Sequence, residues 1–285
     1  MATKRTYPEL LALIKAREAS PAKEQKPKQL NLELWPDAVR GVPNSVLRGA
    51  LFGVSKTRKT YKKRVLIAST GDYEIRFLGT TLNQTDLDTF QGMLHLAMPH
   101  ALGTRVEFSV HAFLKSQGRG TGKTQHEQFK EEVMRLVSGG VEITYLREKK
   151  TFIGTLVSKV FRDEETGRYV VAFNEDMLKL YQTGYTLIDW EQRQALGQNS
   201  LAKWLHNFYS THAAPFPYKV ETLKKLCGSD AERLGDFRKL LRNALGKLVE
   251  IGALTNWEID AADMAHVVRI ATKSQNRHIA RKTGR

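Results

Sequence analysis

The spacing of apolar residues changes several times along the chain, and each change marks an element. Over residues 65–82 they alternate, with Tyr73, Ile75 and Phe77 on one side and turn residues at Gly71-Asp72 and Gly79, which predicts a β-hairpin. Thr85-Asp86 reads as the start of a helix over 87–98, ended by Pro99 and Gly103. A short strand at Val106-Glu107-Phe108 leads into a helix from Ser109 to Gln117, then a glycine-rich turn from Gly118 to Thr124. Phe129, Val133, Leu136 and Val137 follow at helical spacing. Strands at 141–145, 152–161 and 169–173 come next, with turn chemistry at 163–167. Two helices joined by a turn and followed by a β-ribbon give the order of a winged helix-turn-helix.

The same order returns without a visible sequence repeat. Residues 201–209 are helical, Pro215-Phe216-Pro217 breaks the helix, and 220–226 forms a short one. Gly228-Ser229-Asp230 supplies a turn and N-cap before a long helix with Leu234, Phe237, Leu241, Leu245 and Leu248 on one stripe. Gly252 closes it, and 254–259 with 265–271 make a second hairpin. The expectation is an α+β chain with tandem winged helix-turn-helix domains at 39–190 and 191–272. Residues 1–38 form a flexible N-terminal segment, in which Leu10, Leu11, Leu13 and Ile14 give way to a polar, Pro-containing stretch. Residues 273–285 form a basic C-terminal tail.

Charge narrows the partner. Lys and Arg number 45 against 30 Asp and Glu, a formal +15 over 285 residues, more than solubility requires. There is no run of eighteen apolar residues and no N-terminal hydrophobic segment with a cleavage site. A soluble, cytoplasmic protein with a polyanion as its partner is expected. The single cysteine, Cys227, allows neither an intrachain disulfide nor a Cys-based zinc site.

On a helical wheel, burying Phe129, Val133 and Leu136 exposes Thr124, Glu127, Gln128, Glu131 and Arg135. Gln pairs with adenine, Arg with guanine and Glu with cytosine. This face, with Arg119 and Lys123 in the turn before it, is therefore a candidate DNA-binding surface, and an ordinary solvated helix face is the plain alternative. The second long helix turns Asp236, Lys239, Arg242 and Asn243 outward, with Arg233 and Arg238 on its flanks. That more basic face suits phosphate contact as well as base reading. Lys56, Arg58, Lys59, Lys62, Lys63 and Arg64 place six cations within nine residues. The first wing is expected to carry Arg147, Lys149 and Lys150, and the tail adds Lys273, Arg277, Arg281, Lys282 and Arg285. Three such clusters favour phosphate contact over simple solvation.

Two motifs look catalytic. Gly122-Lys123-Thr124 resembles the end of a phosphate-binding loop, but Gln117 stands where that pattern needs glycine. His266-Val-Val-Arg269 and His278-Ile-Ala-Arg281 echo a recombinase element, yet the last tyrosine is Tyr218, so no nucleophile follows. Asp163-Glu164-Glu165, followed by Thr166-Gly167, reads as a hairpin tip and not a metal site. No catalytic residue, metal or cofactor is expected, and the chain is not expected to be an enzyme.

Several stretches carry a more specific signal: Val42-Pro43-Asn44-Ser45, Arg48-Gly49-Ala50-Leu51-Phe52, Gly71-Asp72-Tyr73-Glu74-Ile75 and the Gly118-Arg119 turn. The strongest follow later, at Phe208-Tyr209-Ser210-Thr211-His212, Pro215-Phe216-Pro217-Tyr218-Lys219 and Leu226-Cys227-Gly228-Ser229-Asp230. In this order, over roughly residues 40–260, the chain resembles the TrfA family of plasmid replication initiators. The resemblance implies binding of double-stranded DNA repeats (iterons) at a plasmid origin, melting of AT-rich DNA, and recruitment of the host initiator and replicative helicase. It also implies a monomer–dimer equilibrium and a tether to the sliding clamp through a Gln-Leu-x-Leu-Phe peptide. Gln29, Leu30 and Leu32 match that peptide, and Glu33 stands at its Phe position. A winged-helix transcriptional repressor and a DNA-processing recombinase are the alternative functions.

Overall fold

The structure, a computed structural model, describes residues 36–97, 106–173 and 179–270. The peptide with Gln29, Leu30 and Leu32, the helix end at Pro99 and Gly103, and the tail from Lys273 lie outside the described residues.

The first part of the chain runs β1 (Val39–Pro43), α1 (Asn44–Leu47), β2 (Phe52–Gly53), β3 (Thr60–Ile67), β4 (Tyr73–Thr80), β5 (Leu82–Asn83) and α2 (Gln84–Ala97). Then come β6 (Val106–Ser109), α3 (Val110–Ser116), α4 (Lys123–Ser138), β7 (Gly140–Tyr145), β8 (Lys150–Gly154), β9 (Lys159–Arg162) and β10 (Arg168–Ala172). α5 (Lys179–Gln182), β11 (Tyr185–Asp189) and α6 (Trp190–Ala195) lead into the last part, α7 (Ser200–Ser210), β12 (Tyr218–Lys219), α8 (Val220–Leu226), α9 (Leu234–Glu250), β13 (Leu254–Ile259) and β14 (Met264–Arg269).

Local chemistry explains these boundaries. At the start of α2 the Asn83 side chain accepts the N–H groups of Thr85 and Asp86, and the Asp86 carboxylate accepts the N–H of Asn83. This reciprocal cap starts the helix at Gln84, three residues before the expected Leu87. The alternation in β4 buries Tyr73, Ile75 and Phe77. α9 buries Phe237, Leu241, Leu245 and Leu248 completely, and Gly252 at φ 71° closes it. The long helix is not capped by the Gly228-Ser229-Asp230 turn as expected. Its N-cap is Arg233, which gives no side-chain bond, and the Asp230 carboxylate accepts from Ser55 Oγ instead.

The expected first wing is also corrected. Residues 152–161 are not one strand, because Leu156 and Val157 are both buried, and neighbours in an extended strand point to opposite faces. The chain breaks there and feeds two sheets. β8 extends the antiparallel sheet β3-β4-β7-β8, whereas β9 and β10 join β6 in the order β6-β10-β9. Arg147, Lys149 and Lys150 therefore sit at the β7–β8 hairpin and not on the ribbon that pairs with β6.

Helix, strand, helix, turn and helix occur twice, followed at once by a ribbon in the second copy and, after β7 and β8, by the β9–β10 ribbon in the first. The second sheet has the order β12-β14-β13, matching β6-β10-β9: the strand before the paired helices lies beside the last strand of the ribbon. The turns match as well. Gly118 at φ 66° and Gly228 at φ 63° take the left-handed conformation that glycine adopts without strain. Each is followed by the same bonds: Gly118 N–H to Lys115 O and Arg119 N–H to Leu114 O, Gly228 N–H to Lys225 O and Ser229 N–H to Lys224 O. The buried apolar side chains form two clusters, one from Val42 to Ile188 and one from Leu196 to Val267.

The two units share a bonded seam. Trp204 Nε1 donates to Gly49 O at 3.0 Å, Arg48 Nη2 to Thr211 O at 2.7 Å, and Val54 N–H to Cys227 O at 2.9 Å. Lys203 and Arg193 both hold the Asp88 carboxylate of α2, at 2.7 and 2.5 Å. Burial pushes the Lys203 ammonium below its usual range, with Asp88 opposing the shift.

Candidate nucleic-acid interface

α4 buries Phe129, Val133 and Leu136 and leaves Thr124, Glu127, Gln128 and Glu131 exposed, as the wheel predicts, with Lys123 exposed at its start; Arg135, also expected outward, is only partly exposed. The arginines of this region behave differently. Arg119 donates two bonds to the buried Glu132 carboxylate, at 2.8 and 3.0 Å, and Thr89 Oγ1 donates a third. Burial pushes the Glu132 carboxyl up against the pull of Arg119. Arg135 and Arg58 both bond the fully buried Asp86, at 2.9 and 2.6 Å. Arg119 and Arg135 thus brace α4 from within, and the outward face keeps Lys123 beside two unneutralised glutamates, Glu127 and Glu131.

α9 presents a basic face. Arg233, Lys239, Arg242 and Asn243 are exposed. Arg238 is held by Asp263 at the β13–β14 turn, at 2.7 and 3.0 Å, which raises the guanidinium and lowers the carboxyl. Asn243 Oδ1 accepts from Asn199 Nδ2 at 3.3 Å. Of the cationic stretch, Lys59, Lys62 and Lys63 are exposed. Lys62 and Lys63 occupy an irregularity of the edge strand β3 between Tyr61 and Val65. Such charged, irregular edges also block unwanted strand pairing. Arg147, Lys149 and Lys150 are exposed at the β7–β8 turn, with Arg147 bonded to Asp72.

An open groove of about 850 Å³ brings Arg119, Thr124, Glu127, Gln128, Glu131 and Arg135 together with residues the sequence reading did not single out. These are Gln194, Gln198, Ser200 and Lys203, with Trp190 and Arg193. The α9 face does not line it. The one signal for this second wall was the Asn199-Ser200 pair, since Asn199 caps α7 by accepting the Ala202 N–H.

Gly122-Lys123-Thr124 follows helix α3, not the strand a phosphate-binding loop requires. His266 bonds Asp260, and His278 lies outside the described residues. Among the described residues there is no group of three or more His, Cys, Asp or Glu placed to hold a metal, and no helix long and apolar enough to cross a membrane.

The crystal structure of RctB domains 2 and 3 superposes with a TM-score of 0.55 at 12% identity, covering 80% of this chain and 98% of that one. A second crystal structure of the same two domains gives 0.52 at 14% identity, covering 74% and 88%. At these identities the likeness is one of fold, a mixed arrangement of helices and sheets. By sequence, the chain is 25% identical over 276 residues to the plasmid replication initiator protein TrfA of Escherichia coli, covering 89% of this chain and 71% of that protein. The family model described as TrfA protein matches residues 4–269, and on that match the chain belongs to the TrfA protein family.

Proposed function

We propose that the chain is a plasmid replication initiator whose two units are winged helix-turn-helix modules that bind iteron repeats as sequence-specific double-stranded DNA. α4 and α9 enter successive major-groove segments of one repeat. Binding energy from several bound copies is spent on bending and unstacking neighbouring AT-rich DNA, and the bound protein recruits host replication proteins. No covalent chemistry is involved, and a monomer–dimer equilibrium sets how much protein is available. The observation that carries this reading is the pair of helix–turn–helix units with matching turns and strand orders, each presenting an exposed polar helix face. Family membership and the net charge of +15 support it.

The test is a footprint over the DNA next to the coding sequence, paired with replication of an origin-only plasmid supplied with the protein in trans. Evenly spaced protections and replication are expected. A single protected operator without replication makes the chain a repressor. If six to ten phosphates are contacted, affinity falls roughly 10³- to 10⁵-fold between about 50 and 200 mM salt.

A further inference from the structure

We infer that the groove between α4 and the α6–α7 connector seats the sugar–phosphate backbone of duplex DNA, a contact separate from base reading. The inference rests on the DNA-binding reading above. Its first ground is shape: base edges are reached by protruding elements, whereas an open channel of about 850 Å³ receives the ridge of a strand. Its second is the convergence of helix starts. α2, α4 and α7 run for 14, 16 and 11 residues, and Thr85, Thr124 and Ser200 from their first turns all line the groove. Helix N-termini carry the positive end of the helix dipole and first-turn amides that need an acceptor, which Asn83 supplies at α2 and Asn199 at α7. The N-cap of α4 is Gly122, which has no side chain to occupy those amides.

An independent observation points the same way. Trp190 is 6% exposed, lines the groove, and its buried indole Nε1 has no hydrogen-bond partner. An indole N–H only donates, so it is satisfied by an acceptor arriving from outside, such as a phosphate oxygen. Of the carboxylates lining the groove, Asp88 is neutralised by Arg193 and Lys203 and Glu132 by Arg119, while Glu127 and Glu131 stand exposed in it together with Lys56. Gln198 stands exposed on the second wall.

The experiment uses the full chain and two labelled duplexes: the one the wild-type protein enriches from a random-sequence pool, and a random-sequence duplex of equal length. Gln198→Glu is expected to weaken binding to both by the same factor, about fivefold, as for a unit charge roughly 4 Å from a phosphate in water. Gln198→Lys strengthens both and steepens the salt dependence by about one unit. Trp190→Phe, compared at equal concentrations of folded protein, weakens both by the same factor. Wild-type affinities in all three variants, or losses confined to the enriched duplex, overturn the inference. If the pool yields no enriched duplex, sequence-specific reading by the two helices fails, and the random duplex still decides the backbone seat.

Discussion

Arg119 and Glu132 meet in a two-point ion pair, Nη1 to Oε2 at 2.8 Å and Nη2 to Oε1 at 3.0 Å, that ties the turn before α4 to the helix itself. Glu132 is 3% exposed, so the pair is nearly dry. Its guanidinium is held inside the protein, and its energy belongs to folding before it belongs to any ligand.

Arg119→Ala is therefore expected to cost about 3 kcal/mol of stability, because it strands a buried carboxylate. Urea unfolding measures this. The salt dependence of duplex binding by the folded fraction should stay at the wild-type slope, and a slope lower by a full unit would make Arg119 a phosphate contact.

On α9 the exposed side chains are expected to separate into two kinds. Lys239→Ala should weaken all duplexes alike and reduce the salt slope by about one. Asn243→Ala should cost about 1–3 kcal/mol on the preferred duplex and relax selection at one base-pair position. Selection from a random pool with each variant reads the difference directly, and unchanged selection by Asn243→Ala removes it from base reading.

The matching turns make a graded prediction. Gly118→Ala should lose about 1 kcal/mol from the left-handed conformation alone. Gly228→Ala should lose more, because its new Cβ meets Ala50 Cβ at 3.2 Å, whereas the nearest atom at Gly118 is the movable end of Gln194. Thermal melts rank the two, and equal losses contradict the tight approach at Gly228.

Stability should fall in mild acid through two histidines, the buried His206 and the half-buried His212. Burial, with Arg193 and Arg269 adding to it, holds the His206 imidazole down to about 3. Burial and Arg48 hold His212 down to about 4. The unfolded chain takes up protons below its ordinary histidine range near 6.5, and the fold does not, so the stabilisation is complete above that pH. It declines as pH falls, by about 1.4 kcal/mol per pH unit per histidine, and levels off at the folded values. Unfolding between about pH 7 and pH 4.5 should show this decline, and His206→Gln should reduce its slope by one histidine's share.

Periodicity made the two long helices and the β3–β4 hairpin legible, because Phe237, Leu241, Leu245 and Leu248, and Tyr73, Ile75 and Phe77, each keep one period over a whole element. It failed at residues 152–161, where two apolar neighbours turn inward together and apolar content alone reads as continuous strand. The faces of α4 and α9 were largely legible, Arg135 being the exception: the wheel placed it outward and it turns to the buried Asp86. Which of their arginines are occupied was not, since Asp86, Thr89 and Asp263 lie 25 to 49 positions away along the chain. Glu132 was an exception hidden in view: three residues after Phe129, it falls on the buried stripe, where a carboxylate needs a partner. The groove wall at Gln194 to Lys203 had no signature beyond the Asn199 cap, because its place on the groove comes from how α7 meets α2.

The docking of residues 48–55 against α7 and the α8–α9 turn has a further consequence. A protein that grips duplex DNA with two modules locked in this way is a ruler. One base pair inserted between the halves of a site swings the far half by about 34° around the helix axis. On the proposed reading, the seam, and not either helix, then determines how long a repeat must be.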